Sequence, residues 1–180
     1  AEVIKDIKVS GNDRISNETI ILFSNIEIND DLDNNDLNQI LKNLYQTDFF
    51  NDVSINLLEN TLFIEVIENP LIQSIEFTGV KNKAVLERLR EIIIQKEKSS
   101  FVNNKVKKDQ DLVLNTLRVS GYYFSEISTN IKKNDNNTVD IIYNINLGNK
   151  ALIKNIKFIG NKVYKDNKLR KIIVSEEAKF

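Results

Sequence analysis

One eight-residue pattern occurs three times in this sequence, and it constrains the fold more than any other feature. It reads I-x-x-I-x-[V/F]-x-G, and its copies are Ile4–Gly11, Ile72–Gly79 and Ile153–Gly160. Apolar residues alternate before each glycine, which indicates a strand with one buried face. The closing glycine indicates a turn that needs a positive φ, as we expect at Gly79. These glycines lie 68 and 81 positions apart, so the pattern predicts similar units in series.

Two amphipathic segments follow the repeated strand in each of the first two copies. Apolar residues three and four positions apart predict a short helix and then a longer one in both. Residues able to cap backbone N–H groups precede these helices; they are Ser16, then Asn34 or Asn35, and later Asn104.

Two alternating strands then close each copy around a polar turn. The turn residues are Glu59–Asn60 in the first copy and Asp135–Asn137 in the second. Each copy is therefore predicted to be an α+β unit with the order β-α-α-β-β. After the third strand only a helix near Lys168–Val174 remains and no hairpin follows, so we expect the natural chain to continue.

The predicted boundaries define unit one as residues 1–70, unit two as 71–149 and a partial unit three as 150–180. Pro70 is the only proline, and it fixes its own φ and keeps Asn69 extended. The joint between units one and two should therefore be semi-rigid. Gly148 and Asn149 have more backbone freedom and predict a softer second hinge.

Composition excludes several kinds of chemistry. The chain has no cysteine and no histidine, so it has no thiol nucleophile and lacks the commonest general base. An acidic segment from Asp31 resembles a calcium loop, but its twelfth position is Lys42, which predicts a helix-capping loop instead. We expect no catalytic site, no cofactor and no metal.

Charge is distributed unevenly along the chain. Unit one has 4 basic and 14 acidic residues, whereas unit two has 12 basic and 9 acidic ones. A strongly acidic unit one argues against nucleic acid as a partner. The sequence has no apolar run long enough for a membrane-spanning helix. Phe49–Phe50 and Tyr122–Tyr123 are interpreted as core aromatics.

Three strings in this sequence carry a resemblance to a known family. They are LYQTDFFNDVSI at Leu44–Ile55, VIENPLIQSIEFTG at Val66–Gly79 and SGYYFSEIS at Ser120–Ser128. They resemble POTRA domains, the polypeptide-transport-associated modules of bacterial outer-membrane assembly proteins. The resemblance covers essentially the whole chain. Asp48 departs from the family, which usually has glycine there, but aspartate tolerates the left-handed conformation.

The resemblance implies a fold and a binding mode. Each unit should have a three-stranded mixed sheet covered by two helices, with the strand after the second helix at an open edge. Extended partners would pair with that edge by β-augmentation. The implied binding residues are Val53, Ser54, Ile55 and Asn56 in unit one, and Ile127, Ser128, Thr129, Asn130 and Ile131 in unit two.

The resemblance also implies partners and a location. Unfolded outer-membrane proteins, periplasmic chaperones and accessory lipoproteins of the assembly machinery would bind at the periplasmic face of a Gram-negative outer membrane. The membrane itself would be reached only through a carboxy-terminal barrel outside this sequence. Two related alternatives remain, a TamA-like assembly factor and a two-partner-secretion transporter. A POTRA-bearing division protein is disfavoured because such a protein has a single unit.

Overall fold

The structure is a computed structural model, and it describes residues 2–160 and 163–173. Two three-stranded sheets, each packed against two helices, form units one and two. The predicted α+β fold is confirmed in both units.

Unit one is built around a central strand that comes last in its sequence. Its elements are β1 (Glu2–Val3), β2 (Asp6–Ser10), α1 (Asn17–Ser24), β3 (Asp31–Leu32), α2 (Asn34–Gln46), β4 (Phe50–Leu58) and β5 (Thr61–Glu68). β5 lies between β2, to which it is parallel, and β4, to which it is antiparallel. The hairpin turn has φ of 49° at Glu59 and 62° at Asn60, as a type I′ turn requires.

Unit two repeats this topology. Its elements are β6 (Leu71–Thr78), α3 (Lys83–Ile92), α4 (Asn103–Val119), β7 (Glu126–Asn134) and β8 (Thr138–Asn146). β8 is central, parallel to β6 and antiparallel to β7. Each unit encloses its own apolar core; Leu44 of α2 and Leu117 of α4 are fully buried at matching places.

The first isoleucine of the repeated pattern pairs with the segment that joins the two helices of its unit. We call this segment the connector; it comprises residues 25–33 in unit one and 93–102 in unit two. Ile4 exchanges backbone hydrogen bonds of 2.9 and 2.8 Å with the first connector, and Ile72 exchanges bonds of 2.9 and 2.7 Å with the second. Both side chains are fully buried. The repeated pattern therefore corresponds to two features, a strand and a backbone contact between its first isoleucine and the connector.

The glycine of the pattern is required by a close approach of two backbones. Gly11 and Gly79 have φ of 81° and 82°, as expected for Gly79. A Cβ atom on Gly11 would overlap the carbonyl oxygen of Val66, and one on Gly79 would overlap that of Ile145. In each unit the glycine thus lets the first strand turn away beside the central strand.

The helix N-termini agree only in part with the sequence predictions. Ser16 caps α1 as predicted, through a bond of 3.3 Å from the N–H of Thr19. Asp33, and not Asn34 or Asn35, caps α2. The reason is a reciprocal capping box, in which Asp33 and Asp36 each accept the other's backbone N–H.

The N-cap predicted for the second helix of unit two is wrong. α4 begins two residues earlier than expected, so Asn104 lies inside the helix. Val102 occupies the N-cap and makes no side-chain capping bond. The Oε1 atom of Gln95 accepts the N–H of Val102 itself at 3.0 Å, so the connector provides the bond that the N3 side chain makes in a capping box.

The aromatic pairs are not all in the core. Phe50 is buried and Phe49 packs beside it, as predicted. Tyr122 packs against the core of unit two, but Tyr123 is 60% exposed. Tyr123 lies in the turn between α4 and β7, where the ring of Tyr122 already packs against the core.

Unit three lacks the strand that its sequence predicts. Residues 151–158 form neither strand nor helix, and Ile153 is exposed. In units one and two the corresponding strand pairs with the last strand of its own unit, and the described residues of unit three include no strand that could serve as that partner. The predicted helix is found as α5 (Asp166–Arg170); Val174, its predicted end, lies outside the described residues.

Candidate binding edges and the joint between units

The predicted binding residues lie on outer strands. Val53–Asn56 are in β4 and Ile127–Ile131 are in β7. The strand order is β2-β5-β4 in unit one and β6-β8-β7 in unit two, so β4 and β7 each have one side without a neighbouring strand. This geometry is what strand addition requires. The binding role of these residues stays a prediction.

Backbone groups of β7 face outward at every second residue. The N–H of Leu71 in β6 donates to the carbonyl of Asn137 at 3.1 Å, so odd-numbered residues of β8 face β6 and even-numbered ones face β7. The register with β8 then directs the odd-numbered residues of β7 away from the sheet. These outward residues are Ile127, Thr129, Ile131 and Lys133. In the part of the chain that the structure describes, their N–H and C=O groups have no hydrogen-bond partner.

The opposite edge of the same sheet is closed. The connector of unit two pairs with Ile72, as described above, and the side chains of two further residues reach Ile75. Glu97 accepts the Ile75 N–H at 3.1 Å, and Arg90 donates to the Ile75 carbonyl at 3.2 Å. β6 therefore offers few backbone groups to a partner, and β7 is the open edge of unit two.

The outer edge of β4 differs from that of β7 at its first residue. The Val53 N–H donates to the hydroxyl of Tyr45 at 3.1 Å and to Oδ1 of Asp52 at 3.0 Å. The Tyr45 hydroxyl in turn donates to Asp52 at 3.1 Å. Val53 thus faces outward, but its donor is already used. Sequence reasoning placed Val53 in a binding edge and missed Tyr45, because no local pattern links a helix end to a strand eight residues later.

Asn69 and Pro70, two of the predicted hinge residues, are each fastened to one unit. Asn69 is buried; its N–H donates to the Phe49 carbonyl at 2.8 Å and its side-chain amide to the Asp48 carbonyl at 2.8 Å. The Pro70 carbonyl accepts the N–H of Phe101 at 2.8 Å. The contacts therefore change from those of unit one to those of unit two at the peptide bond between Asn69 and Pro70.

Further residues that the sequence analysis did not single out hold this joint. Arg14 donates to the Asn69 carbonyl at 2.7 Å, from the loop after β2. Lys105 of α4 forms an ion pair with Asp48, which joins unit two to unit one directly. Asp48 has φ of 63°, the left-handed conformation expected where the family has glycine. The only sequence signal for these contacts was the acidic residue two positions before Pro70 in the string VIENPLIQSIEFTG.

That acidic residue, Glu68, organises the loop that carries Arg14. Its Oε1 atom accepts the backbone N–H groups of Asp13, Arg14 and Ile15 at 2.8, 2.9 and 2.9 Å. Its Oε2 atom lies 3.0 Å from Nε of Arg14. Burial alone would raise the pKa of Glu68, but the backbone donors and the Arg14 charge outweigh it and lower that pKa below its ordinary value. The carboxylate form is therefore the one that holds the joint.

We expect Asn69→Ala to loosen this joint more than Pro70→Gly does. Asn69→Ala removes the side-chain bond to Asp48 and should also cost unit one about 1 kcal/mol. Pro70→Gly adds backbone freedom but leaves the bonds of Asn69 and Phe101 in place. Residual dipolar couplings on both units would measure the spread of inter-unit angles. Lys107→Ala, which removes only an exposed pair within α4, is the control; an equal spread in all variants would contradict this account.

The second predicted hinge makes fewer contacts. The Gly148 N–H donates to Oδ1 of Asn146 at 3.3 Å, and beyond Asn149 the N–H of Ala151 donates to the Gly121 carbonyl at 2.8 Å. The Lys150 ammonium lies 5.8 Å from the Tyr122 ring centre. That the hinge at Gly148 and Asn149 is more flexible than the joint at Asn69 and Pro70 stays a prediction.

Two features that other functions would require are absent from the described residues. Residues 2–160 and 163–173 contain no cluster of three or more acidic side chains placed to hold a metal ion. Within the same ranges, every helix is too short or too polar to cross a membrane.

The fold defines small α+β modules joined in series, each with one strand at an open edge. Residues 70–148 match the POTRA family, described as "Surface antigen variable number repeat". This match confirms the resemblance to POTRA domains that the sequence predicts.

Relatives extend the similarity over nearly the whole chain. The outer membrane protein assembly factor BamA of Neisseria meningitidis is 31% identical over 174 residues, which is 92% of this chain. BamA of Neorickettsia risticii is 26% identical over 179 residues, or 98% of this chain. The chain spans only 21% and 24% of the lengths of these two relatives.

Solved structures agree on the fold. The N-terminal domain of Omp85 from Thermosynechococcus elongatus superimposes with a TM-score of 0.55 at 13% identity, over 84% of this chain and 64% of that one. POTRA domains 1 and 2 of Omp85 from Anabaena give a TM-score of 0.50 at 11% identity, over 83% of this chain and 97% of that one. At such low identity, both structures support the architecture alone.

Proposed function

We propose that this chain is a periplasmic binding arm of an outer-membrane protein assembly factor. It binds extended segments of unfolded outer-membrane proteins by adding them as a fourth strand beside β7. The similarity to BamA over most of the chain supports the cellular role and the location at the periplasmic face of a Gram-negative outer membrane. The open outer edge of β7 is the observation that carries the binding mode.

The chemistry of β7 suits partners of varied sequence. Four outward residues offer eight backbone groups, and pairing through the backbone is largely independent of side chains. The exposed side chains of this strand are polar or charged, including Ser128, Asn130 and Lys132. A polar surface of this kind limits uncontrolled self-pairing of an open edge.

Chaperones and accessory lipoproteins are proposed as further partners. Unit one is strongly acidic and unit two is basic, so the two units present different charges to an approaching protein. We also propose that the unit boundaries fall at Asn69–Pro70 and Gly148–Asn149. The separate sheets and cores of units one and two support the first boundary.

Thr129→Pro is expected to abolish strand addition at β7 while unit two stays folded. Proline removes the outward N–H of Thr129 and places a ring where a partner strand would lie. Titration of a fluorescent peptide from an unfolded outer-membrane protein should show binding to the wild type and at least about a tenfold loss in the variant, since one pairing position contributes on the order of 1 kcal/mol or more.

Two controls separate binding from folding in this experiment. Thr129→Val removes only the side-chain hydroxyl, which accepts a bond of 2.8 Å from Gln110, and should bind normally. Asn130→Pro removes a donor to β8 and should unfold unit two by circular dichroism. Unchanged peptide binding by a folded Thr129→Pro protein would exclude β7 as the docking edge.

A further inference from the structure

We infer that Tyr45 closes the first position of the β4 edge and so directs strand addition to unit two. This inference rests on the proposed function, because it concerns which of two edges a partner strand can use. It assigns Tyr45 as a positioning residue that determines specificity between two edges of the same fold.

The two edges are comparable residue by residue. Val53 pairs with Val66, whose carbonyl lies against Gly11, and Ile127 pairs with Ile145, whose carbonyl lies against Gly79. Val53 and Ile127 are therefore the equivalent first outward residues of the two edges. At Ile127 the outward groups are free among the described residues, whereas at Val53 the N–H already has two acceptors.

The difference originates in one residue at the end of the second helix. Tyr45 follows the buried Leu44 in α2, and Arg118 follows the buried Leu117 in α4. The carbonyls of Tyr45 and Arg118 accept equivalent turn hydrogen bonds, so the two positions match. Arg118 instead bonds to Asn115 of its own helix at 3.3 Å and leaves β7 uncovered.

The tyrosine blocks the edge both sterically and by hydrogen bonding. Its ring spans from α2 to the outer side of β4, where the first residue of an added strand would lie, and the residue as a whole is 43% exposed. Its hydroxyl is fixed by Asp52, so moving the ring away breaks two hydrogen bonds. An added strand could then pair only with Ile55 and Leu57, which is short for stable strand addition.

Opening this edge should create a second docking site. The probe is a ten-residue peptide of alternating threonine and valine, with one terminal lysine, one terminal glutamate and a nitroxide label. We expect it to broaden amide signals along β7 but not β4 in the wild type. Tyr45→Ala removes the ring and should produce comparable broadening along β4. Arg118→Ala, at the matching position of unit two, should leave both patterns unchanged.

A measurement without peptide tests the inference separately from the proposed function. The background is Asp52→Ala, which removes the second acceptor of the Val53 N–H. In that background Tyr45→Phe keeps the ring but loses the hydroxyl, so hydrogen exchange at the Val53 amide should accelerate by about tenfold. Unchanged Val53 exchange, or no β4 broadening in Tyr45→Ala while β7 still binds, overturns the inference. Absence of β7 broadening in the wild type counts against the proposed function, and Val53 exchange then decides the inference alone.

Discussion

Gly79→Ala is expected to destabilise unit two by about 3 kcal/mol or more. The left-handed conformation costs a residue with a Cβ roughly 1–2 kcal/mol, and the overlap with the Ile145 carbonyl adds a cost of about 1–3 kcal/mol because backbone must move. For a domain of this size, thermal unfolding should then shift down by more than about 10 °C. Differential scanning calorimetry would measure it.

A second substitution distinguishes the two causes. Gly79→Asn keeps the Cβ but tolerates positive φ, so its effect should remain close to that of Gly79→Ala if the contact dominates. Gly121→Ala is a matched control in the same unit, because Gly121 has φ of 93° but a Cβ there would meet nothing closer than the flexible Lys150 side chain, at 3.1 Å. Near-normal stability of Gly79→Asn would show that conformational strain, and not the contact with Ile145, fixes this glycine.

Asp109→Ala should be comparably destabilising, by about 3–5 kcal/mol. Asp109 lies on α4, is fully buried, and accepts the N–H groups of Ile94 and Gln95 at 2.6 and 3.3 Å and the Tyr143 hydroxyl at 3.0 Å. Removing the carboxylate leaves three donors without an acceptor, of which the Gln95 N–H and the Tyr143 hydroxyl are buried and cost about 1–3 kcal/mol each, with partial relaxation. Denaturant unfolding of unit two would measure the loss.

The controls for Asp109 come from the same network and the same helix. Asp111→Ala removes an exposed carboxylate that pairs with Lys107 at 3.6 Å, and should change stability by less than about 0.5 kcal/mol. Tyr143→Phe removes one of the three donors and should cost about 1 kcal/mol. Burial, the Asp109 charge and their hydrogen bond raise the pKa of Tyr143, so its hydroxyl stays a donor. A loss for Asp109→Ala no larger than for Tyr143→Phe would contradict this account.

Asp109 also connects stability to the binding edge. Ile94 and Gln95 belong to the connector, which covers the outer side of β6. If the connector loosens, β6 becomes a second open edge in the same sheet. We therefore expect Asp109→Ala to self-associate before it unfolds globally, because unpaired edges template association.

Local patterns in the sequence were sufficient for the longer strands and the helices of units one and two and for their order. Alternation identified the strands, and Glu59–Asn60 identified a turn whose geometry the structure confirms. The repeated glycine was predicted with its positive φ, although the sequence did not reveal which carbonyl it would face. These features depend on residues close together in the chain.

Contacts between distant residues account for what was missed. Glu68 binds a loop more than fifty positions earlier, and Asp109 meets Tyr143 34 positions later. No periodicity encodes such pairs, because each depends on how distant elements of one unit pack together. The strand expected in unit three failed for a related reason, since a strand is stable only with a partner that the local pattern does not contain.

The parallel pairing of the first and last strands has a mechanical consequence for a chain of such units. In unit two the chain enters at the start of β6 and leaves at the end of β8, and these two strands are parallel neighbours. Tension along the chain therefore pulls them in opposite directions along their length. The hydrogen bonds between β6 and β8 are then loaded together in shear, so they do not break one after another from one end. An arm made of these modules should resist stretching while it still bends at its joints.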